Sequence, residues 1–155
     1  MATDILMKED NNGGDLVLEG NTLKLANSFQ NMPYLAMFGG NPEQSTIGQK
    51  EEGEQAFDWW GNWLLMSQQP DVQFNSIFER TITQISLSSA GRLQLERSAK
   101  EDIKFMEAFA LVEISVSIET VDRVKTFIEL QEPDNLESTE FVYIWDNAEQ
   151  ELTTE

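Results

Sequence analysis

Between residues 111 and 119 the chain alternates. Val112, Ile114, Val116 and Ile118 are apolar, while Glu113, Ser115, Ser117 and Glu119 are polar. A period of two predicts a strand with one buried and one wet face. A second run over 122–131 places Val124, Ile128 and Leu130 on one face and Arg123, Lys125 and Glu129 on the other. The connection at 120–122 is short, which predicts an antiparallel hairpin. Glu132-Pro133-Asp134-Asn135 breaks the pattern, and residues 139–145 form a run of strong β-formers. Residues 146–155 read as a polar, acidic tail.

Upstream the pattern changes period. Residues 4–8 suit a short strand and 9–14 a loop. The runs 15–19 and 22–26 around Gly20-Asn21 read as a hairpin. A helix is expected over about 28–38, capped by Asn27 or Ser28, with Phe29, Met32 and Ala36 on one face. Pro33 lies too deep for the first turn of that span, so a kink or a later start is expected. Gly39-Gly40 should stop the helix, and 39–56 should be a long surface loop. Two more helices follow. One, about 76–86, is capped by Asn75 or Ser76 and carries Phe78, Ile82 and Ile85. The other, about 90–107, is capped by Ser88 or Ser89, with Leu95, Ala99, Ile103 and Met106 as its apolar stripe. Glu96–Lys100 and Arg97–Glu101 are favourable pairs on its outer face. The sum is an α+β fold: short strands at the front, about three helices, then an antiparallel hairpin plus an extended arm.

Composition narrows the chemistry. With 28 Asp+Glu against 10 Lys+Arg, the formal net charge of the 155 residues is −18. That disfavours direct binding of nucleic acid or of an anionic membrane, since both need basic patches. Residues 1–10 have neither the apolar run of a signal peptide nor that of a membrane span. There is no His and no Cys, which excludes Ser-His-Asp and Cys-His catalytic units, thiolate chemistry and Cys/His zinc sites. The many carboxylates show no specific acid/base pair, and 9–20 lacks the ligand spacing of a calcium loop. No catalytic, cofactor-binding or metal-ligating residue is assigned. The candidates are aromatic. Trp59, Trp60 and Trp63 crowd three of the four Trp into five residues. They are either core residues that seal the long loop or anchors for a partner. Phe141, Tyr143 and Trp145 share one face of the 139–145 run, with Val142 and Ile144 on the other. That run is either a strand of the chain's own sheet or an arm that pairs with a neighbour.

Several stretches, taken in order, resemble the small baseplate wedge proteins of contractile-tailed phages, the Mu-type family related to the T4-type wedge and sheath-initiator protein. They are Asp15-Leu-Val-Leu-Glu19, Tyr34-Leu-Ala-Met-Phe-Gly-Gly-Asn41, Asp58-Trp-Trp-Gly-Asn62, the helix around Ala99-Lys100-Glu101-Asp102, and the hairpin with Asp122-Arg123-Val124. The Phe-Gly-Gly-Asn and Trp-Trp-Gly-Asn pairing is the most specific part. The T4-type members carry a Glu-Pro-Arg tripeptide used in wedge packing, and this chain has only Glu79-Arg80.

The resemblance implies a non-enzymatic assembly protein without cofactors. It would be a wedge subunit of a six-fold collar around the tail tube, touching other wedge subunits and starting the sheath on a presented sheet edge. Its place would be the virion, in the tail baseplate, after assembly in the host cytoplasm. On this reading residues 1–131 are the wedge-like domain and 132–155 an acidic arm with one strand. A reading of another class is an acidic interaction module, or an inhibitor that mimics nucleic acid.

Overall fold

The computed structural model describes residues 3–9, 14–39, 74–133, 137–149 and 151–154. The fold is α+β; the described residues form short strands at the front, three α-helices and a four-stranded antiparallel sheet at the end. Among the described residues no helix is long and apolar enough to cross a membrane.

The first strands are β1 (Thr3–Ile5), β2 (Met7–Glu9), β3 (Gly14–Leu16), β4 (Leu18–Glu19), β5 (Thr22–Leu23) and β6 (Leu25–Asn27). The expected hairpin around Gly20-Asn21 is β4–β5, and Gly20 takes the left-handed φ of +65° that the turn requires. The longer runs do not stay paired with each other. β1 pairs β6 and β2 pairs β3, so each run bends between two partners. The bends are Leu6, Val17 and Lys24. Leu6 N–H donates to the Lys24 carbonyl at 2.8 Å, Lys24 N–H to that of Val17 at 2.8 Å, and Val17 N–H to that of Leu6 at 2.9 Å. Three two-stranded ladders thus meet at a closed ring of three main-chain bonds, which leaves none of these bend groups orphaned.

A 3-10 turn (Ser28–Gln30) leads into α1 (Met32–Phe38), so the helix starts later than the expected 28. The later start brings Pro33 into the first turn, where its missing N–H costs nothing. Neither Asn27 nor Ser28 is the cap. Asn31 stands at the N-cap, and its side chain turns to the N-terminal run instead. Its Nδ2 donates to Asp4 Oδ2 (3.0 Å) and to the Ile5 carbonyl (2.7 Å), and its Oδ1 accepts from Met7 N–H (3.0 Å). A buried amide with partners on both ends fastens the front ladders to the helical layer.

α2 (Ile77–Ile82) and α3 (Ser89–Ile103) follow, and α3 tightens into a 3-10 segment (Lys104–Ala108). Ser88 caps α3, its hydroxyl accepting from Gly91 N–H at 3.2 Å. The expected stripe Leu95, Ala99, Ile103 and Met106 is fully buried. Of the two expected ion pairs, Lys100–Glu96 forms at 2.8 Å. Arg97 and Glu101 are not joined; Arg92 takes the other Glu96 oxygen at 3.0 Å. α2 is shorter than expected, and Ser76 at its N-cap holds a left-handed φ of +46° with no capping bond from its own side chain.

The sheet contains β7 (Leu111–Ile118), β8 (Arg123–Gln131), β9 (Thr139–Asp146) and β10 (Glu151–Thr154), in the order β10-β9-β8-β7. β7 and β8 form the expected antiparallel hairpin in unbroken register. β9 lies along β8 for its whole length, so the region after 132 pairs within its own chain. The expected tail supplies β10, a strand absent from the sequence reading, which pairs β9 from Glu151 opposite Asp146 to Thr154 opposite Tyr143. The helices pack on one face of this sheet. Phe38 meets Phe78 edge-on and Tyr143 at a tilt, with ring centroids 5.5 Å apart in both cases.

Candidate interaction surface

The aromatic face of β9 is the core face. Phe141 packs against the core, and Tyr143 and Trp145 are 4% and 7% exposed within it. The alternation of aromatic and aliphatic positions holds as expected, but Tyr143 and Trp145 are turned into the core and are not offered to a partner, while Phe141 is half-buried. Burial pushes the Tyr143 phenol well above its ordinary range, as an apolar surround does to any group that must ionise. Residues 143–146 of β9 are paired on both sides and so have no edge to give, whereas 139–142 pair with β8 alone among the described residues. Trp59, Trp60 and Trp63 lie outside the described residues.

Among the described residues the sheet has two edges, and β7 is the longer edge strand. Its geometry follows from one bond. Glu119 N–H donates to the Arg123 carbonyl at 2.9 Å, which makes 119 and 123 a hydrogen-bonded pair. In an antiparallel ladder such pairs alternate with non-bonded ones. With the register running from Leu111 opposite Gln131 to Ile118 opposite Val124, the odd residues of β7 bond to β8. The backbone groups of Val112, Ile114, Val116 and Ile118 therefore point off the sheet. An independent contact agrees: Arg92 Nη1, from α3, reaches the Val116 carbonyl at 3.3 Å. Exposed apolar side chains stand at both ends of this strand. Phe109 is 56% exposed and Leu111 62% where β7 begins, and Val121 is 80% exposed at the tip of the turn that follows.

The open face of the sheet holds a row of like charges. Glu113 on β7 lies opposite Glu129 on β8, which lies opposite Glu140 on β9. Like charges directly opposed across strands oppose sheet formation, so the row is not there for stability. At the other end of this face Arg123 bonds Asp146 across the same ladder at 3.3 Å. Glu113 and Glu129 are legible in the sequence as polar strand positions, but the row is not, because cross-strand register is set by turns and pairing and not by spacing in the chain.

Glu79 and Arg80 belong to α2, and Glu79 is buried. Beside them is a device that the sequence reading missed. Asp102 on α3 accepts Ile77 N–H at 2.9 Å and Phe78 N–H at 2.7 Å, and so supplies the cap that α2 lacks. Burial raises its carboxyl from the ordinary 3.8 up to about 7, against the pull of those two N–H donors and of Arg80. Asp102 faces the core on the apolar stripe's side of α3, where a reading by hydropathy sees only an interruption.

No group of three or more acidic side chains among the described residues could hold a metal ion. A cleft of about 210 Å³ opens where Leu6, Met7 and Lys8 face Tyr34 and residues 139–143 of β9, beyond the reach of β10. No family model, curated protein or solved structure matches this chain.

Proposed function

We propose that this chain is a structural component of a contractile phage tail baseplate, a wedge subunit that also initiates the sheath. The resemblance in its sequence motifs supports the family. The observation that carries the mechanism is the β7 edge: a long outer strand with main-chain donors and acceptors directed off the sheet, backed by a packed helix layer. Strand addition at such an edge gives affinity through main-chain bonds and so tolerates sequence change in the partner. The partners are other wedge subunits, the tail tube and the sheath protein, in a six-fold collar, within the virion. The role is assembly and not catalysis, and it needs no cofactor.

The experiment combines the purified protein with the tube and sheath proteins encoded alongside it. Sheath should grow from collar-bearing tube ends and be absent or unregistered without this chain. Sheath that starts equally well without it would sink the reading. The carboxylate row favours one competitor, an acidic module that competes with nucleic acid. Displacement of DNA from a basic protein by the purified chain would favour that reading.

A further inference from the structure

We propose that the β7 edge selects an extended partner segment that carries Lys or Arg at alternate positions, and that Arg92 occupies the edge until that segment arrives. The proposal rests on the reading of β7 as the docking strand and adds to it the chemistry of the occupant.

A strand added to β7 would pair with the outward backbone groups of Val112, Ile114, Val116 and Ile118. Its side chains would then alternate between two environments. On the helix side they would meet α3, where Arg92 and Lys100 share the Glu96 carboxylate and leave a net positive charge, which gives a basic side chain no anion to pair with there. On the open side the row Glu113–Glu129–Glu140 ends at the edge with Glu113, which lacks an oppositely charged neighbour across the strand. A cation placed opposite Glu113 continues the row with the complementary sign, and an anion lengthens an already repulsive one. The chain's net charge of −18 acts in the same direction at longer range, by steering basic segments towards it. Phe109, Leu111 and Val121 supply apolar contact at the two ends of such a strand.

Arg92 sets the second condition. The Val116 carbonyl is one of the four outward acceptors, and the guanidinium already fills it while anchored to Glu96. An incoming N–H must displace it. The displaced guanidinium keeps its Glu96 partner, so the exchange loses one bond and gains one. Until then a charged side chain laid on an exposed strand blunts it against indiscriminate pairing.

The test uses the whole chain and synthetic peptides. One alternates valine with lysine, one alternates valine with glutamate, and one repeats the lysine peptide with a central proline that cannot pair. Amide hydrogen exchange at Ile114 and Val116 is the readout. The lysine peptide should protect these amides, and the glutamate and proline peptides should not. Glu113→Lys should weaken the lysine peptide about fivefold. Arg92→Ala should strengthen it more than Lys100→Ala does, since both remove one positive charge but only the first frees the Val116 carbonyl. Protection that appears elsewhere, or that is equal for the proline peptide, would overturn the proposal. Equal effects of Arg92→Ala and Lys100→Ala would remove Arg92 from it. None of these readouts uses tails, so the baseplate role and the edge chemistry can fail separately.

Discussion

A carboxyl that is 6% exposed yet holds two backbone N–H groups, as Asp102 does, ties the stability of two helices to one side chain. Asp102→Ala leaves those donors buried without an acceptor and should cost about 2–4 kcal/mol in urea unfolding. The pH dependence has a definite sign. The folded carboxyl holds its proton up to about 7 and the unfolded one only to about 3.8. Asp102 therefore contributes most below pH 4, and that contribution is lost as pH rises towards 7, by at most ~1.4 kcal/mol per unit. Asp102→Asn, which keeps one acceptor and cannot ionise, should lose this slope; parallel profiles for the two proteins would show an ordinary carboxyl. Gly91 is a second residue whose identity the fold dictates. A Cβ there would strike the Ser86 carbonyl, which is backbone and cannot swing away. Alanine ordinarily gains about 1 kcal/mol over glycine inside a helix. Here Gly91→Ala should instead lower the melting temperature, because overpacking costs about 1–3 kcal/mol.

At the scale of elements, β9 is the strand on which the sheet depends. It brings Tyr143 and Trp145 into the core and covers the edge of β8 along its length. Truncation before residue 137 should abolish cooperative unfolding and near-ultraviolet dichroism, so it cannot serve as a neutral deletion of an arm. Truncation before Glu151 removes only β10 and the burial of Leu152, and should cost about 1.5–3 kcal/mol while leaving a folded sheet. Melting curves of the two truncations separate these outcomes. α2 shows the opposite dependence. With six residues it is far too short to hold alone, and it stands because Asp102 caps it and the Thr81 and Ser98 hydroxyls, 2.9 Å apart, join it to α3.

Across the whole molecule, charge is the quantity most out of balance. A net charge of −18 on a small domain makes the compact state repel itself, and the row Glu113–Glu129–Glu140 concentrates that repulsion on one face. Added salt should therefore raise stability at neutral pH. Glu129→Lys places a cation between two carboxylates and should stabilise the protein by about 0.5–1 kcal/mol. A stability unchanged by both would mean that the row is already screened by solvent. The arrangement resembles a surface kept for a partner at some cost to the isolated chain.

Period-two alternation predicted β7 and β8 with their faces, and period 3.6 predicted the buried stripe of α3, because one-sided burial writes itself into local order. The α+β class followed from those patterns. Asp102, Asn31, β10, the partner of β9 and the ring at Leu6, Val17 and Lys24 were decided only in three dimensions. Asn31 and Asp102 depend on partners far along the chain, 24 to 27 residues away for Asn31 and 24 and 25 for Asp102. β10 has one apolar residue, Leu152, and becomes a strand because β9 offers it an edge. The aromatics at 141, 143 and 145 were legible as one face. Whether that face looked inward or out was not, since alternation specifies two sides and only packing says which one is the core.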